Sequence, residues 1–223
     1  MIEKHLKKYP IVIAIDGTSA SGKSTNAKLV AKALGYVYVD TGAMYRTLAW
    51  HCLKKDVDVH DARLVANACR RWKTDLCCVE KDGLRVVRLL VDSYFPEKEI
   101  RLPETAAAVP HVAAVPKARE WMVKRQRECL EFGNLVMEGR DIGTNVFPET
   151  DFKFYLDAAL AERTARRTAD GVNENLAARD QRDSQRAIAP LMIALGAKVI
   201  NNSNLTSEQT SGLILAEIRK RLG

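Results

Sequence analysis

The chain has 223 residues, 47% hydrophobic and 28% charged, with a formal net charge of +7. This is the composition of an ordinary soluble globular protein, long enough for one α/β domain with an insertion and a sizeable core. It contains no run of about 18 apolar residues, which excludes a helical membrane span, and residues 1–8 lack the apolar centre of a signal peptide, so a cytoplasmic protein is expected.

Residues 11–15, Ile-Val-Ile-Ala-Ile, read as a buried strand. A glycine-rich turn follows, and residues 26–34 read as a helix. Gly17, Gly22, Lys23 and Ser24 fill the fixed places of G-x-x-x-x-G-K-[ST], with Thr18, Ser19, Ala20 and Ser21 between them and Thr25 after. The glycines let backbone N–H groups turn toward an anion, and the helix N-terminus adds a positive field. Lys23 can reach the β- and γ-phosphates of ATP, and the Ser24 hydroxyl can take part in holding Mg²⁺, mostly through water and the nucleotide. A surface turn could match by accident, but the strand before and the helix after argue for phosphate binding.

Residues 36–40 form a second strand after a Gly35 helix stop, and residues 42–55 a helix. Asp61 can cap a helix through Arg71. Two apolar runs, 76–79 and 84–91, flank Lys81-Asp82-Gly83, a hairpin signal. The hairpin interrupts the βα alternation, so residues 73–101 read as the β part of an insertion. Pro103, Pro110 and Pro116 punctuate short helical pieces, and residues 117–132 form a longer helix. Residues 135–138 and 152–157 are the third and fourth core strands, the latter with one face less deeply buried; 158–167 is helical. Residues 168–175 are polar and read as a mobile crossing. Residues 176–187 form a charged helix, 198–201 the fifth strand, and Thr206 or Ser207 caps a C-terminal helix. Alternating strands and helices predict a parallel sheet covered on both faces.

The five cysteines, at 52, 69, 77, 78 and 129, are odd in number and form no Cys-x-x-Cys pair. Reduced, mostly buried thiols are expected rather than disulfides or zinc. His5, His51, His60 and His111 show no ligand spacing. The basic charge allows nucleic acid, a membrane surface or small phosphorylated substrates as partners. There is no basic tail and no RNA-binding aromatic motif, so neither nucleic acid nor membrane is expected. Arginines in short polar motifs suit bidentate recognition of phosphate.

Three further motifs carry such arginines. Asp40-Thr-Gly-Ala-Met-Tyr-Arg46 follows the second strand, and ligands gather at the carboxyl ends of strands in an open α/β sheet. Tyr45 and Arg46 would stand near the phosphate loop; the plainer alternative is a helix cap and a surface arginine. Glu138-Gly-Arg-Asp-Ile-Gly-Thr144 follows the third strand, which places Arg140 and Asp141 at the cleft mouth; the alternative is a surface ion pair. In Arg179-Asp-Gln-Arg-Asp-Ser-Gln-Arg186, Arg179, Asp183 and Arg186 share one helical face. A solvated helix laced with ion pairs explains this cluster, and so does an arginine-bearing lid over a polyphosphate.

Together these motifs, with Val112-Ala-Ala-Val-Pro and Arg119 and with Val146-Phe-Pro148, resemble the bacterial-type cytidylate kinases, nucleoside monophosphate kinases, in family order over nearly the whole chain. The phosphate loop is generic, and the Asp40–Arg46 and Glu138–Thr144 motifs are specific. The resemblance implies a P-loop fold with a five-stranded parallel sheet and flanking helices. It implies a core of about 9–60 and 133–223, a nucleoside monophosphate (NMP)-binding insertion of about 61–132 with the β-hairpin, and a short lid of about 168–187. It implies Arg46 and Arg140 as holders of the CMP phosphate, Arg119 and Asp141 as readers of cytosine, and Arg179 and Asp183 as ribose contacts. Arg186 becomes a phosphate contact, and Thr41 and Tyr45 line the pocket; Lys23, Arg140 and Arg179 are the catalytic set. Two departures stand out: Pro110 replaces the serine that usually faces the base, and the segment 163–179 is shorter than the usual lid.

The implied reaction moves the γ-phosphoryl of ATP to CMP, and to dCMP, with Mg²⁺, in a monomer. UMP, AMP or another small acceptor remains an alternative within kinases. An ATP-controlled switch that binds nucleic acid or protein is the alternative from another class.

Overall fold

The computed structural model describes residues 10–171 and 175–222. In chain order the elements are β1 (Val12–Gly17), α1 (Lys23–Leu34), β2 (Val37–Asp40), α2 (Thr41–Lys54), α3 (Ala62–Arg71), β3 (Thr74–Lys81), β4 (Leu84–Val91), α4 (Pro103–Ala114), α5 (Pro116–Glu128), β5 (Leu135–Glu138), β6 (Phe152–Asp157), α6 (Leu160–Ala169), α7 (Leu176–Ser184), β7 (Lys198–Asn201) and α8 (Ser207–Leu222). Residues 1–8, His5 among them, and part of the expected crossing at 168–175 lie outside the described residues.

The five expected core strands run parallel in the order β2-β5-β1-β6-β7. The sheet nevertheless has seven strands, not five, in the order β3-β4-β2-β5-β1-β6-β7. The hairpin expected in an insertion extends the same sheet: β4 runs beside β2 in parallel through Tyr38 and Val86, and β3 pairs antiparallel with β4. Both faces of β4 find apolar partners, with Leu84 and Val86 packing on one core cluster and Val87, Leu89 and Val91 on the other. A strand apolar on both faces gains more from joining the sheet than from standing apart. Asp82 (φ 54°) and Gly83 (φ 71°) make the left-handed two-residue turn that closes the hairpin.

All six residues of β1 are buried, between β5 and β6. Ile13 and Ile15 face the cluster built with α1 and α8 (Ala27, Val30, Ile214, Ile218). Val12 and Ala14 face the cluster built with α2 to α5 (Met44, Leu48, Val65, Val112, Met122). Lys153 and Asp157 are the half-buried positions of β6. Pro110 sits inside α4 rather than ending it, while Pro103 and Pro116 occupy the first turns of α4 and α5. The expected helix 117–132 ends at Glu128 and continues as a 3₁₀ turn, Cys129–Phe132. The expected helix 176–187 stops at Ser184, so Arg186 lies beyond it and not on its face. Thr206, not Ser207, caps α8: its Oγ1 accepts from the Gln209 N–H (3.2 Å) and its N–H donates to Gln209 Oε1 (2.9 Å).

Candidate active site

The loop between β1 and α1 can be built only with glycine at its start. Gly17 has φ 151°, and a Cβ there would lie 2.0 Å from the Leu156 carbonyl oxygen. Gly22, with φ 84°, turns the chain into α1. Within the loop the Thr18 carbonyl accepts from the Ser21 hydroxyl (2.9 Å) and from Lys23 Nζ. Lys23 is buried, and burial together with the nearby Arg140 charge pushes its ammonium well below the usual lysine range. Such a site favours an anion, whose charge would restore the cation. Arg179 adds to the same positive field at Lys23.

At the foot of the loop the exposed Ser24 donates its hydroxyl to Glu138 Oε1 (2.6 Å), and Tyr38 donates to the same oxygen (3.2 Å). Burial, reinforced by Asp40, raises the Glu138 carboxyl. A hydroxyl and a carboxylate side by side are hard oxygen donors of the kind Mg²⁺ uses alongside phosphate oxygens and water. No group of three His, Cys, Asp or Glu side chains that could hold a metal occurs among the described residues, so a magnesium ion here would depend on the nucleotide for most of its ligands. Thr25 is exposed on the first turn of α1.

Asp16, at the end of β1, ties the loop strand to the segment after β5. Its two carboxylate oxygens accept from the Ile142 and Gly143 N–H groups, both at 2.8 Å. That fixes the direction of the preceding Arg140 and Asp141. Burial pushes the Asp16 carboxyl up to about 6 in spite of those hydrogen bonds.

Beyond β2, Asp40 caps α2 through the Ala43 N–H (2.7 Å) and pairs with Arg46 (3.1 Å). Thr41 donates to the Glu138 carbonyl (2.7 Å), so the two motif segments touch. Gly139 leaves room for this, since a Cβ there would lie 2.6 Å from Thr41 Oγ1. Arg140 Nε reaches Asp183 Oδ2 (3.0 Å), and Arg186 pairs with the other oxygen of Asp183. Arg119 and Asp141 form an ion pair whose side chains are only 3% and 8% exposed, which excludes the surface-pair alternative for Asp141. The Arg119 guanidinium lies 5.5 Å from the Tyr45 ring. Arg119 Nε and Tyr45 OH are buried without a hydrogen-bond partner. Burial pushes the Tyr45 phenol up to about 12, so it remains a donor at neutral pH. Two orphaned buried donors beside an arginine–carboxylate pair suit a polar planar ligand with acceptor atoms.

The structure thus brings together Lys23, Thr41, Tyr45, Arg119, Arg140, Asp141, Asp183 and Arg186, and leaves Arg46 on the pocket flank with Asp40. It also adds residues that motif reading passed over: Asp16, Tyr38, Glu138, Arg163, Asp180 and Asn202. Asn202 donates to the Ser21 carbonyl (2.9 Å), and Arg163 and Asp180 hold Ser19. Asp16, Glu138 and Asp180 stood inside or beside the motifs, but Arg163 and Asn202 carried no local signal.

A glycine-rich anion loop facing arginines from neighbouring strand ends marks an α/β protein that handles phosphoryl groups. The family model for cytidylate kinase matches residues 13–220. Curated cytidylate kinases from Limosilactobacillus reuteri and Caldanaerobacter subterraneus are 40% and 39% identical to this chain, over 93% and 94% of it and 95% of each relative. A cytidylate kinase from Geobacillus thermodenitrificans is 39% identical over 96% of the chain and 98% of the relative. The chain belongs to the cytidylate kinase family.

Proposed function

We propose that this protein transfers the γ-phosphoryl group of ATP to CMP, and to dCMP, giving ADP and CDP or dCDP. The observation that carries the reading is the buried Arg119–Asp141 pair beneath Tyr45, one strand away from the phosphate loop. Cytosine presents an N4 amino donor to a carboxylate and ring acceptors to a guanidinium. Asp141 takes the amine and Arg119 serves N3 or O2, while Thr41 and Tyr45 wall the pocket.

The acceptor phosphate has a second pKa near 6, so at neutral pH it is largely dianionic and attacks without a general base. Alignment and charge neutralisation remain for the protein to supply. Gly17 to Thr25 cradle the ATP phosphates, with Lys23 on the migrating charge. Arg140 spans donor and acceptor phosphates, Arg46 and Arg186 hold the acceptor phosphate, and Arg179 with Asp183 faces the ribose and the phosphates. Ser24, backed by Glu138, would hold Mg²⁺ together with the nucleotide, and the ion would supply charge neutralisation on the nucleotide's phosphates. In this reading α3 to α5, within residues 61–132, bind the acceptor, residues 168–187 act as a lid that excludes water, and the rest is core. The protein is read as a monomer acting on free nucleotides in the cytoplasm. Cys52, Cys69 and Cys129 are buried, and burial pushes their thiols up to about 11, 12 and 12.

Coupled measurement of ADP release against CMP, dCMP, UMP and AMP tests the proposal. CMP and dCMP should lead, with CMP above UMP by roughly tenfold in kcat/KM, since Pro110 offers the base no hydroxyl. Little ADP with any monophosphate, together with salt-sensitive binding of RNA or DNA, would point instead to a nucleotide-controlled switch.

A further inference from the structure

One residue of the phosphate loop is gripped from outside the loop by two side chains that the phosphoryl-transfer reading leaves without a task. The Ser19 N–H donates to Asp180 Oδ1 (2.8 Å), and the Ser19 carbonyl accepts from Arg163 Nη1 (3.0 Å). Arg163 and Asp180 pair with each other, and Arg163 Nε donates to the Ala158 carbonyl (2.9 Å). The pair is largely removed from water, with side chains 9% and 15% exposed. A second strut runs alongside: Thr18 donates to Asp157 Oδ1 (2.9 Å), which also accepts from the Ala158 N–H (2.9 Å).

Asp180 lies one helical turn before Asp183 on α7, and the two carboxylates face different partners. Asp183 takes Arg140 and Arg186, on the side of the acceptor pocket. Asp180 takes the loop that faces the donor phosphates. A single short helix is therefore pinned at both halves of the site. Its seating sets the backbone orientation of Ser19, and the loop in turn sets where α7 rests.

We propose that Arg163 and Asp180 are positioning residues that couple the seating of α7 to the geometry of the ATP phosphate loop. They touch neither reacting atom; they hold the Ser19 peptide so that neighbouring loop N–H groups face the phosphates. This deepens the kinase reading and rests on it. It separates the two carboxylates of α7: Asp180 governs the donor side and Asp183 the acceptor side.

The test is Asp180→Asn, Asp180→Ala, Arg163→Lys and the Arg163→Lys/Asp180→Asn double variant in the full chain. Each is measured for ATP binding by calorimetry without acceptor, and for kcat and both KM values with ATP and CMP. Asp180→Ala removes a charge-assisted acceptor, and the ATP dissociation constant should rise about tenfold, with a lower kcat and an unchanged KM for CMP. Asp180→Asn, which keeps one acceptor oxygen for Ser19, should lose less. The double variant should cost less than the sum of the singles, because the two residues share one grip. Should Asp180→Ala fail to fold, the isosteric Asp180→Asn carries the comparison. A uniform loss of active protein, with normal ATP affinity and both KM values unchanged in the folded fraction, overturns the proposal. So does a rise in the KM for CMP alone. If the native protein binds ATP but phosphorylates no CMP, the acceptor assignment fails, while the calorimetric arm still decides the grip.

Discussion

Replacing Asp141 with alanine separates a structural ion pair from a base reader. The carboxylate is 8% exposed, and its partner Arg119 is 3% exposed. Asp141 Oδ2 also accepts from Asn145 Nδ2 (3.1 Å), while Arg119 keeps a longer bond to the Ala113 carbonyl (3.3 Å) and the Tyr45 ring. Asp141→Ala therefore leaves a buried guanidinium without its counter-charge, a change that costs about 3–5 kcal/mol. For a chain of this size, each kcal/mol moves the melting temperature by about 2–4 °C, so a drop of about 10 °C is expected. CMP should lose about tenfold or more in kcat/KM, the scale of one unpaired polar group, while UMP changes little, so the CMP-to-UMP ratio collapses. The control is Arg119→Met with Asp141→Leu. A packed apolar pair of similar volume should restore most of the stability. It should not restore CMP preference, because nothing remains to accept the amine. Thermal melting read beside coupled ADP release decides the matter. A double variant that regains both stability and CMP preference would refute the reasoning, as would Asp141→Ala with a native melting temperature and an intact ratio.

Lys23→Ala should reduce kcat by about 10²-fold or more in a folded protein, because the migrating charge loses its buried cation; near-normal turnover would remove Lys23 from the catalytic set. Arg140→Lys keeps the charge but cannot reach Asp183 and a phosphate through one fork, so kcat/KM for CMP should stay about tenfold down. Arg46→Lys should be milder, since Arg46 already shares its charge with Asp40 at 30% exposure; native kinetics in both lysine variants would place these arginines outside the acceptor site. Asp16 gives a pH signature. Its carboxyl rises from 3.8 to about 6 on folding, so between those values the folded protein holds a proton that the unfolded chain releases. Its contribution to stability therefore falls as pH rises from about 4 to 6 and is level above that. The melting temperature of the native protein minus that of Asp16→Asn should decline across this window, and a flat or rising difference would contradict the assignment.

The parallel core is readable because four of its five strands, β1, β2, β5 and β7, are short apolar stretches with a turn signal at the carboxyl end, while β6 shows itself by alternation. The same signals placed the loop, Arg140 and Asp141 at strand ends, where they lie. The hairpin was legible as a hairpin, through Asp82 and Gly83, but not as part of the sheet. Its membership depends on Val86 meeting Tyr38, a pairing that no local pattern encodes. The pairing of Asp141 with Arg119 likewise joins α5 to the end of β5 and needed the fold to appear. Arg163 is the clearest case of what sequence conceals. On a charged, amphipathic helix it reads as a solvated arginine, yet it is buried against a loop that lies 144 residues away in sequence. Arg186 shows the opposite error: helical periodicity put it on one face with Asp183, yet the helix ends at Ser184 and Arg186 reaches Asp183 from beyond it.

These pairings bear on how the site can work at neutral pH. Arg46, Arg119, Arg140 and Arg186 each contact a carboxylate: Asp40, Asp141, Asp183 and Asp183 respectively. A free arginine gives up rotamer entropy when it binds phosphate, and an isolated buried guanidinium resists losing water. The carboxylates meet both costs during folding. They fix each fork in direction and share its charge while leaving other N–H donors for the ligand. On the proposed function, two anionic nucleotides would then enter a field whose dipoles are already aimed, with little reorganisation left for the moment of transfer. Lys23 stands apart in this scheme. Its nearest acceptor is a loop carbonyl, and burial and Arg140 depress its ammonium, so on the proposed function an arriving γ-phosphate would restore its charge.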